Sequence, residues 1–431
     1  MEHRAITGTS DVLPNQSARW LVIERAFRDL VGQHAYDEIR TPIIEPTPLF
    51  LRSIGVATDI VEKEMYSFLH HGDAITLRPE GTASAVRAYV QHHINQTEPV
   101  SRWYYVGPMF RGERPARGRY RQFHQLGCEL FGDPGPACDA EMIDMLQVFF
   151  ASLGIPNIDI VVNSLGSRDT RDRYSRVLVD HLAPRKDDLS EDSRRRLLSN
   201  PLRILDSKDE RDIAALVGVP SVLDVVDAGD RAHFDSLRRY LDRLGTPYRV
   251  DPTLVRGLDY YTRTLFEIRC DAGSIGAQNA LGGGGRYDTL VSQLGGTDTP
   301  AIGFALGVER ILLAMESVEA GQELSSLVAV LPLGEAAAGE ALVLARELRA
   351  RGLRVDVDCR GGSGASVKSM LRRANARSVR VCLVLGDSEL ANQQVQLKDL
   401  LARSQETVAR RDVVDCVLRL VDRAVSAGGV G

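Results

Sequence analysis

Residues 104–132 read YYVGPMFRGERPARGRYRQFHQLGCELFG. Two arms rich in aromatic and apolar residues flank GERPARGRY, whose Gly, Pro and Arg content is typical of a loop, so the stretch predicts a long β-hairpin over 101–132. Gln125 and Glu129 are four residues apart, which places them on one face of a regular strand. We expect Phe123 on the opposite face. A sheet face that bears glutamine and glutamate is a poor core, which favours the floor of a polar pocket.

The tip of this hairpin is rich in arginine. Arg111 ends the first arm, and four more arginines follow it at positions 114, 117, 119 and 121. The planar guanidinium suits a bidentate grip on phosphate. An arginine-rich tip that only aids solubility is an equally good interpretation at this point.

The rest of the chain divides into three kinds of sequence. Up to about residue 326, helical periodicity (16–33, 82–93 and 138–153) alternates with strand signals. Residues 168–245 are rich in Arg, Asp and Leu and predict an inserted helical module. A linker is expected at 318–326, and 327–431 alternates strands with helices, which predicts a small α/β domain with a mixed sheet.

The bulk composition fits a globular protein. The 431 residues are too many for one ordinary core, and 44% are hydrophobic and 26% charged. The net charge of −5 excludes a global basic footprint for nucleic acid. Six cysteines without a C-x-x-C pair suggest neither a zinc site nor a disulfide framework, so we expect no protein-bound metal. With no apolar signal region and no membrane-length apolar run, the sequence predicts a cytoplasmic protein.

Four further stretches contain polar groups in unusual settings. LRPEGT (77–82) sets Glu80 at a strand end, where a carboxylate could accept hydrogen bonds from an amine. VRGLDYYTRTLFE (255–267) predicts a strand with too much charge for a core. Arg263 and Glu267 in it are given no role, and a solvated or structural pair is the better interpretation of both. LGGGGRYD (281–288) is a flexible turn or a place where a ligand approaches the backbone, and GFALGVERI sets Arg310 among apolar neighbours. Taken singly, a surface turn or a solvated charge explains each of them as well.

In this order, these stretches resemble the three motifs of the class II aminoacyl-tRNA synthetases. The first motif resembles EIRTPIIEPTPLF, the second is similar to the 104–132 hairpin, and the third resembles AIGFALGVERILL. Two further blocks, RGLDYYTRTLFE and GGGGRYD, resemble signatures of the histidyl-tRNA synthetase family. The resemblance extends over nearly the whole chain.

The resemblance implies an α+β fold with two domains. Residues 1–326 would form a class II catalytic domain, an antiparallel sheet with flanking helices and a helical insertion at about 168–245. Residues 327–431 would form an α/β anticodon-binding domain. The family also implies a homodimer, formed through the first motif, that does not associate with membranes.

The reaction implied by the family has two steps. ATP, accompanied by Mg²⁺, and L-histidine give histidyl-adenylate and pyrophosphate, and the histidyl group then passes to the 3′ end of tRNA(His). Positioning and cationic stabilisation carry such phosphoryl chemistry, so no protein nucleophile is needed.

The family roles fall on residues that match its motifs. Arg111 matches the arginine on the α-phosphate, and Arg256 matches an arginine at the α-phosphate and carboxylate that replaces a metal ion. Both are expected to be catalytic. Arg310 matches the γ-phosphate arginine, and Glu113 is expected to bind ATP with Arg111 and Arg310.

Histidine is expected to be bound by a second set. Glu80, Gly81 and Thr82 would hold its α-amino group, and Gln125 and Arg256 would lie near its carboxylate. A neutral imidazole needs both an acceptor and a donor. Glu129 would accept its N–H, and the Tyr261 hydroxyl would donate to the other nitrogen. Tyr260 and Tyr287 would make further contacts.

One position departs from the family pattern. Ala116 stands where members often have a glutamine that helps to read the extra 5′ guanosine of the tRNA. Arg121, the other contact expected at the tRNA acceptor end, is present. How this chain treats that end of the tRNA is therefore open, as are the contacts to the anticodon.

Two other functions fit parts of the sequence. A paralogue of this family serves as a non-catalytic subunit of ATP phosphoribosyltransferase, but it usually lacks the C-terminal domain and several of the arginines kept here. A class II enzyme for threonine or proline is the other alternative, against which Tyr261 and Glu129 argue.

Overall fold

The structure, a computed structural model, describes residues 3–55, 58, 60–271, 279–317, 327–360 and 366–427. It divides into two compact units, residues 1–318 and 319–431. The linker predicted at 318–326 lies outside the described residues. The domain boundary at 326/327 therefore stays a prediction.

The first unit combines helices with two sheets. Its helices are α1 Pro14–Gln33, α2 Thr47–Ile54, α3 Thr82–Gln91, α4 Pro136–Ser152, α5 Arg168–Leu182, α6 Glu191–Ser199, α7 Glu210–Ala215, α8 Val222–Val225, α9 Ala228–Leu244, α10 Leu290–Gln293 and α11 Val308–Ala314. Its strands are β1 Asp37–Glu38, β2 Ile44–Pro46, β3 Tyr66–His70, β4 Asp73–Leu77, β5 Ser101–Phe110, β6 Gln122–Phe131, β7 Ile158–Ser164, β8 Arg249–Val250, β9 Thr262–Cys270, β10 Ala280–Arg286 and β11 Ala301–Gly307.

The larger sheet has eight strands in the order β1-β5-β6-β11-β10-β9-β7-β8. The six central strands pair antiparallel, and only the two-residue edge strands β1 and β8 pair parallel. The predicted antiparallel catalytic sheet is thus confirmed. A separate three-stranded sheet has the order β2-β4-β3.

The two faces of the large sheet differ in chemistry. On β6, Leu126, Cys128 and Leu130 pack into a core with apolar side chains of α1, α4 and α9. Since side chains alternate along a strand, Gln125 and Glu129 project from the other face. This second face carries the polar groups, as the sequence predicted.

Two local predictions were wrong. Phe123 lies beside Gln125 in one cavity, because residues two apart in a strand share a face. The stretch 255–267 is only partly strand, since β9 begins at Thr262 and residues 254–261 form a loop. Of the two interpretations left open for the four glycines 282–285, the flexible turn is excluded, because these residues lie within β10.

Residues 168–245 contain the five helices α5 to α9, and no strand is found in this stretch, all of which is described. Its helix ends follow local chemistry. Ser167, Ser190 and Asp227 each accept a hydrogen bond at a helix start, the usual role of an N-cap. Buried leucines such as Leu182, Leu189 and Leu197 give the stretch its own small core.

The second unit is an α/β layer with a five-stranded mixed sheet, as predicted. Its elements are β12 Leu327–Pro332, α12 Glu335–Ala350, β13 Arg354–Val357, α13 Val367–Ala376, β14 Val381–Leu385, α14 Asp387–Ala391, β15 Gln394–Asp399, β16 Ser404–Ala409 and α15 Val413–Ala427. The strand order is β13-β12-β14-β15-β16, parallel on one side and antiparallel on the other.

Candidate active site

A cavity lies over the polar face of the large sheet, and most of the residues singled out in the sequence line it. These lining residues are Glu80, Thr82, Arg111, Glu113, Gln125, Arg256, Tyr260, Tyr261, Tyr287 and Arg310. They come from positions up to 230 residues apart, so the antiparallel sheet is what brings them together. Gly282 and Gly283 of β10 also line it.

One end of the cavity is cationic. The arginines that line it are Arg111, Arg119, Arg256 and Arg310. Burial lowers the pKa of Arg310, and the positive charges of Arg119, Arg256 and Arg111 lower it further. Backbone carbonyls fix two of the four: Arg310 Nη1 donates to Ala280 O at 2.7 Å and Arg111 Nε to Pro79 O at 2.9 Å. Clustered guanidiniums held in this way form a prearranged site for an anion.

Arg256 is held by a carboxylate. Its Nη1 donates to Glu267 Oε2, and Arg269 Nε donates to the other oxygen of Glu267 at 2.7 Å. The sequence left Glu267 as a solvated or structural charge. The ion pair shows that it fixes a cavity arginine.

A second part of the cavity is formed by the start of α3. Glu80 accepts from the backbone N–H groups of Thr82 and Ala83, both at 2.8 Å, so its carboxylate caps the helix. Burial raises the pKa of Glu80, and those two amides oppose the shift. The carboxylate still lines the cavity and can accept from a bound amine.

Glu129 is fully buried beneath this part of the cavity. Three hydroxyls donate to it: Thr82 Oγ1 to Oε1 at 2.7 Å, Tyr105 to Oε1 at 3.2 Å and Tyr287 to Oε2 at 2.5 Å. Burial raises its pKa to about 8, against the hydroxyls of Tyr287 and Thr82, which lower it. Glu129 is therefore a polar group held in place, not a solvated acid.

Gly303 leaves room for the Glu129 carboxyl group, and Gly81 leaves room for the ring of Tyr105. The β6–β11 register sets Glu129 opposite Gly303, and a Cβ at Gly303 would overlap Glu129 Oε2. Gly303 lines the cavity, so Oε2 lies directly behind the cavity wall. A Cβ at Gly81 would overlap the Tyr105 ring.

Three tyrosines cover this end. The Tyr260 and Tyr261 ring centroids are 4.7 Å apart, and the Tyr260 and Tyr287 centroids are 5.7 Å apart. All three are buried, and burial raises the pKa of Tyr261 to about 12. At neutral pH they are hydrogen-bond donors and acceptors without charge.

Gln125 has a buried polar atom that a ligand could pair with. Its side chain is buried, and Oε1 has no hydrogen-bond partner in the part of the chain that the structure describes. Buried amide oxygens are rarely left unpaired, since the cost is about 1–3 kcal/mol. The atom belongs to a cavity-lining residue, so a bound donor would satisfy it.

Three predicted residues do not line the cavity. Glu129 lies behind it, and Gly81 packs against Tyr105. Arg121 instead contacts the N-terminal segment: Nη1 donates to Thr7 O at 3.2 Å, and its backbone N–H to Gly8 O at 2.7 Å. Ala116 forms an isolated bridge with Arg119 in the hairpin loop.

The structure also adds residues that the sequence did not single out. Arg119 lines the cavity and lies 3.4 Å from Glu113 in an ion pair. It was one of five hairpin arginines, and the isolated bridge that turns it inward has no sequence signal. Tyr105 was counted only as part of an aromatic strand.

No helix among the described residues is long and apolar enough to cross a membrane. Within the same residues, no group of three or more His, Cys, Asp or Glu side chains could hold a metal ion.

Comparison with known proteins agrees with this geometry. The model of the histidyl-tRNA synthetase family matches residues 8–311, and an anticodon binding domain model matches 327–420. A histidine–tRNA ligase of Sorangium cellulosum is 54% identical over 99% of this chain and 98% of its own length. One of Picosynechococcus is 46% identical over 95% of this chain and 96% of its own.

Solved structures give the same result. The apo histidyl-tRNA synthetase of S. aureus superposes with a TM-score of 0.80 at 36% identity, covering 96% of this chain and 100% of that one. Antiparallel sheet, cationic cavity and C-terminal α/β unit define a class II aminoacyl-tRNA synthetase. Within that class, the chain belongs to the histidyl-tRNA synthetase family. The alternatives of a threonine or proline enzyme are therefore set aside.

Proposed function

We propose that the cavity activates L-histidine with ATP and transfers the histidyl group to the 3′ end of tRNA(His). Family membership over nearly the full chain supports the reaction, which makes the chain a histidine–tRNA ligase. One observation supports this assignment of the site most strongly. Four arginines line the same cavity beneath which hydroxyl groups donate to a buried carboxyl group.

The cationic end suits the triphosphate. In the first step a histidine carboxylate oxygen attacks the α-phosphorus, the bond to the bridging oxygen breaks and pyrophosphate leaves. Arg111 and Arg256 would stabilise the charge on the α-phosphate, and Arg310 would hold the γ-phosphate. Because backbone carbonyls and Glu267 already orient these guanidiniums, little reorganisation accompanies the reaction.

The other end suits histidine. Glu80 and Thr82, with the turn at Gly81, would hold the α-amino group of histidine. Gln125 Oε1, near the carboxylate, would accept a hydrogen bond from the same α-amino group. The imidazole would donate one N–H to Glu129 Oε2, which accepts from Tyr287 alone among the described residues. The Tyr261 hydroxyl would donate to its second nitrogen, and Tyr260 would pack beside it. An apolar side chain would leave these groups unpaired.

We propose Mg²⁺ as the companion of ATP, where it neutralises phosphate charge. The lining carboxylates near the cationic end are engaged: Glu113 pairs with Arg119, and Glu309 accepts from His124. Phosphate oxygens would therefore supply most of its ligands, as is usual for this ion. Glu113, which lines the cavity, would contact ATP.

The second step requires the tRNA acceptor end to reach the same cavity. Here a 3′-terminal hydroxyl attacks the acyl carbon of the adenylate and AMP leaves. Arg121 and the 111–121 loop would meet the acceptor end, with residues 327–431 taking the anticodon. Aminoacylation of tRNA(His) transcripts with and without the extra 5′ guanosine tests this assignment. A clear preference that Arg121→Ala abolishes would support it, and equal charging by wild type would exclude a role for the loop in reading that base.

We also propose a homodimer. Ile43 and Ile44, at the start of the three-stranded sheet, and Phe68 and Leu69 on β3 are exposed apolar side chains, with Leu69 77% exposed. Ile43 and Ile44 lie in the segment similar to the dimer-forming first motif, and a second copy would bury such exposed apolar side chains. Sedimentation equilibrium of the wild type should give twice the 47.4 kDa chain mass. The double variant Phe68→Asp, Leu69→Asp should give the mass of a single chain. As a participant in translation, the protein is assigned to the cytoplasm.

A further inference from the structure

The loop that carries Arg256, Tyr260 and Tyr261 has no strand pairing of its own. Residues 254–261 lie between the short edge strand β8 and the start of β9. Arg256, Leu258 and Tyr260 line the cavity. The geometry of three proposed substrate contacts therefore depends on whatever holds this loop.

Helices of the insertion hold it by its backbone. Arg171 on α5 donates from Nη1 to the carbonyls of Asp259 and Tyr261, both at 2.8 Å. Arg203 donates to the carbonyl of Gly257 at 3.2 Å. Three alternate carbonyls of the loop, those of 257, 259 and 261, thus accept from insertion arginines. The side chains of Leu258 and Tyr260 between them line the cavity, as does that of Tyr261.

The side chain of Asp259 is held as well. Its Oδ1 accepts from Asn200 Nδ2 at 2.7 Å, and its backbone N–H donates to Ile54 O at 3.2 Å. A Cβ at Gly55, which has φ +98°, would lie 2.5 Å from Asp259 Oδ2. Asp259 is thereby fixed between the end of α2 and the insertion.

These contacts are too strong to be incidental. Burial lowers the pKa of Arg171, as expected when the charge is removed from water and its partners are carbonyls and not a paired acid. Hydrogen bonds from a charged donor are roughly twice as strong as neutral ones. A half-buried guanidinium that bridges two loop carbonyls fixes their separation and direction.

We propose that the insertion is a positioning element for histidine activation, with Arg171 and Asn200 as its positioning residues. They act through the loop and touch no substrate. The inference rests on the proposed function, because it concerns the loop residues that would bind histidine. It predicts that loosening this clasp harms histidine binding and adenylate formation while ATP binding by Arg111 and Arg310 is kept.

Arg171→Met is the main test, in ATP–pyrophosphate exchange with the full-length protein. Methionine replaces the unbranched apolar part of the arginine side chain but cannot donate to the two carbonyls. We expect KM for histidine to rise about tenfold and kcat to fall about tenfold, since small misplacements of reacting groups cost this much or more. KM for ATP should stay within about twofold. Asn200→Ala should give the same pattern more weakly, and it keeps the test available if Arg171→Met fails to fold.

Arg185→Met is the matched control. Arg185 also lies in the insertion and donates to a carbonyl, that of Ala215 at 3.1 Å, but does not touch the loop. It should leave both KM values unchanged. The positioning role would be overturned if Arg171→Met and Asn200→Ala kept the KM for histidine of the wild type. It would also be overturned if Arg185→Met changed KM for histidine and kcat as much as Arg171→Met does. Absence of histidine exchange in the wild type would instead refute the proposed function itself.

Discussion

The two ends of the cavity are built by opposite means. At the cationic end, arginines face the opening and are fixed by carbonyls and by Glu267. At the other end, hydroxyls converge on one buried carboxyl group, Glu129, whose pKa is raised to about 8. The first arrangement presents charge, and the second presents neutral hydrogen bonds in a dry setting.

The difference separates affinity from selectivity. Positive charge attracts any nucleotide triphosphate and stabilises charge that develops at phosphorus. A buried set of directional donors and acceptors rejects a substrate that leaves them unpaired. Substitutions at the two ends should therefore affect different kinetic constants.

The largest effect is expected at Arg256, which lies between the two ends. Arg256→His removes the long guanidinium from the α-phosphate and carboxylate and should lower adenylate formation by about 10³-fold, with the fold retained. ATP–pyrophosphate exchange measures adenylate formation, and circular dichroism measures whether the fold is retained. Arg269→His is the control, because Arg269 pairs with the same Glu267. Exchange by Arg256→His within severalfold of wild type would refute the role.

Arg310→Met should act on ATP alone. It removes one charge from the cationic end, so KM for ATP should rise by about 10–100-fold, while KM for histidine stays within about twofold. Initial-rate exchange with each substrate varied in turn measures this. Arg117→Met, which breaks an exposed pair with Glu316, should change neither constant. A rise confined to KM for histidine would reverse the assignment of the two ends.

Tyr261→Phe should act on histidine alone. It removes one hydroxyl from a buried end, so KM for histidine should rise about tenfold and KM for ATP should not change. Tyr89→Phe is the control, since Tyr89 stacks on Phe131 in the core. If both variants behave alike, the hydroxyl of Tyr261 does not bind the imidazole.

The last prediction concerns stability instead of kinetics, through Glu129 and pH. Its pKa is 4.5 in the unfolded reference and about 8 when folded, so folding favours the protonated form. Its contribution to stability is full below pH 4.5 and is lost as the pH rises towards 8, with a slope of at most about 1.4 kcal/mol per pH unit. Between pH 5 and 8 the melting temperature of wild type should fall relative to that of Glu129→Gln. Parallel curves would mean that Glu129 is already ionised.

Alternation and turn chemistry are local signals, and they predicted the hairpin and the mixed C-terminal unit. The antiparallel sheet was predicted only through the resemblance to the family. The sequence also predicted most of the lining residues, through resemblance to family motifs. Pairings between distant elements could not be read in the same way. Glu267 was interpreted as part of a solvated or structural pair without a named partner, and only the strand pairing and the loop geometry bring it to Arg256.

The loop at 254–261 is a second place where contacts between distant elements could not be predicted from the sequence. Its aromatic residues favoured a strand, yet its carbonyls bond to helices of the insertion instead of a neighbouring strand. Tertiary contacts override local β-propensity here. Arg263, also left unassigned, donates to the buried Asp230 at 3.1 Å and ties β9 to α9.

ATP–pyrophosphate exchange with each of the twenty amino acids in turn tests the central claim most directly, because the cavity is proposed to activate histidine and nothing else. Exchange that depends on L-histidine, with the other amino acids near background, is the predicted result. No exchange with histidine, or faster exchange with another amino acid such as threonine or proline, would contradict the account.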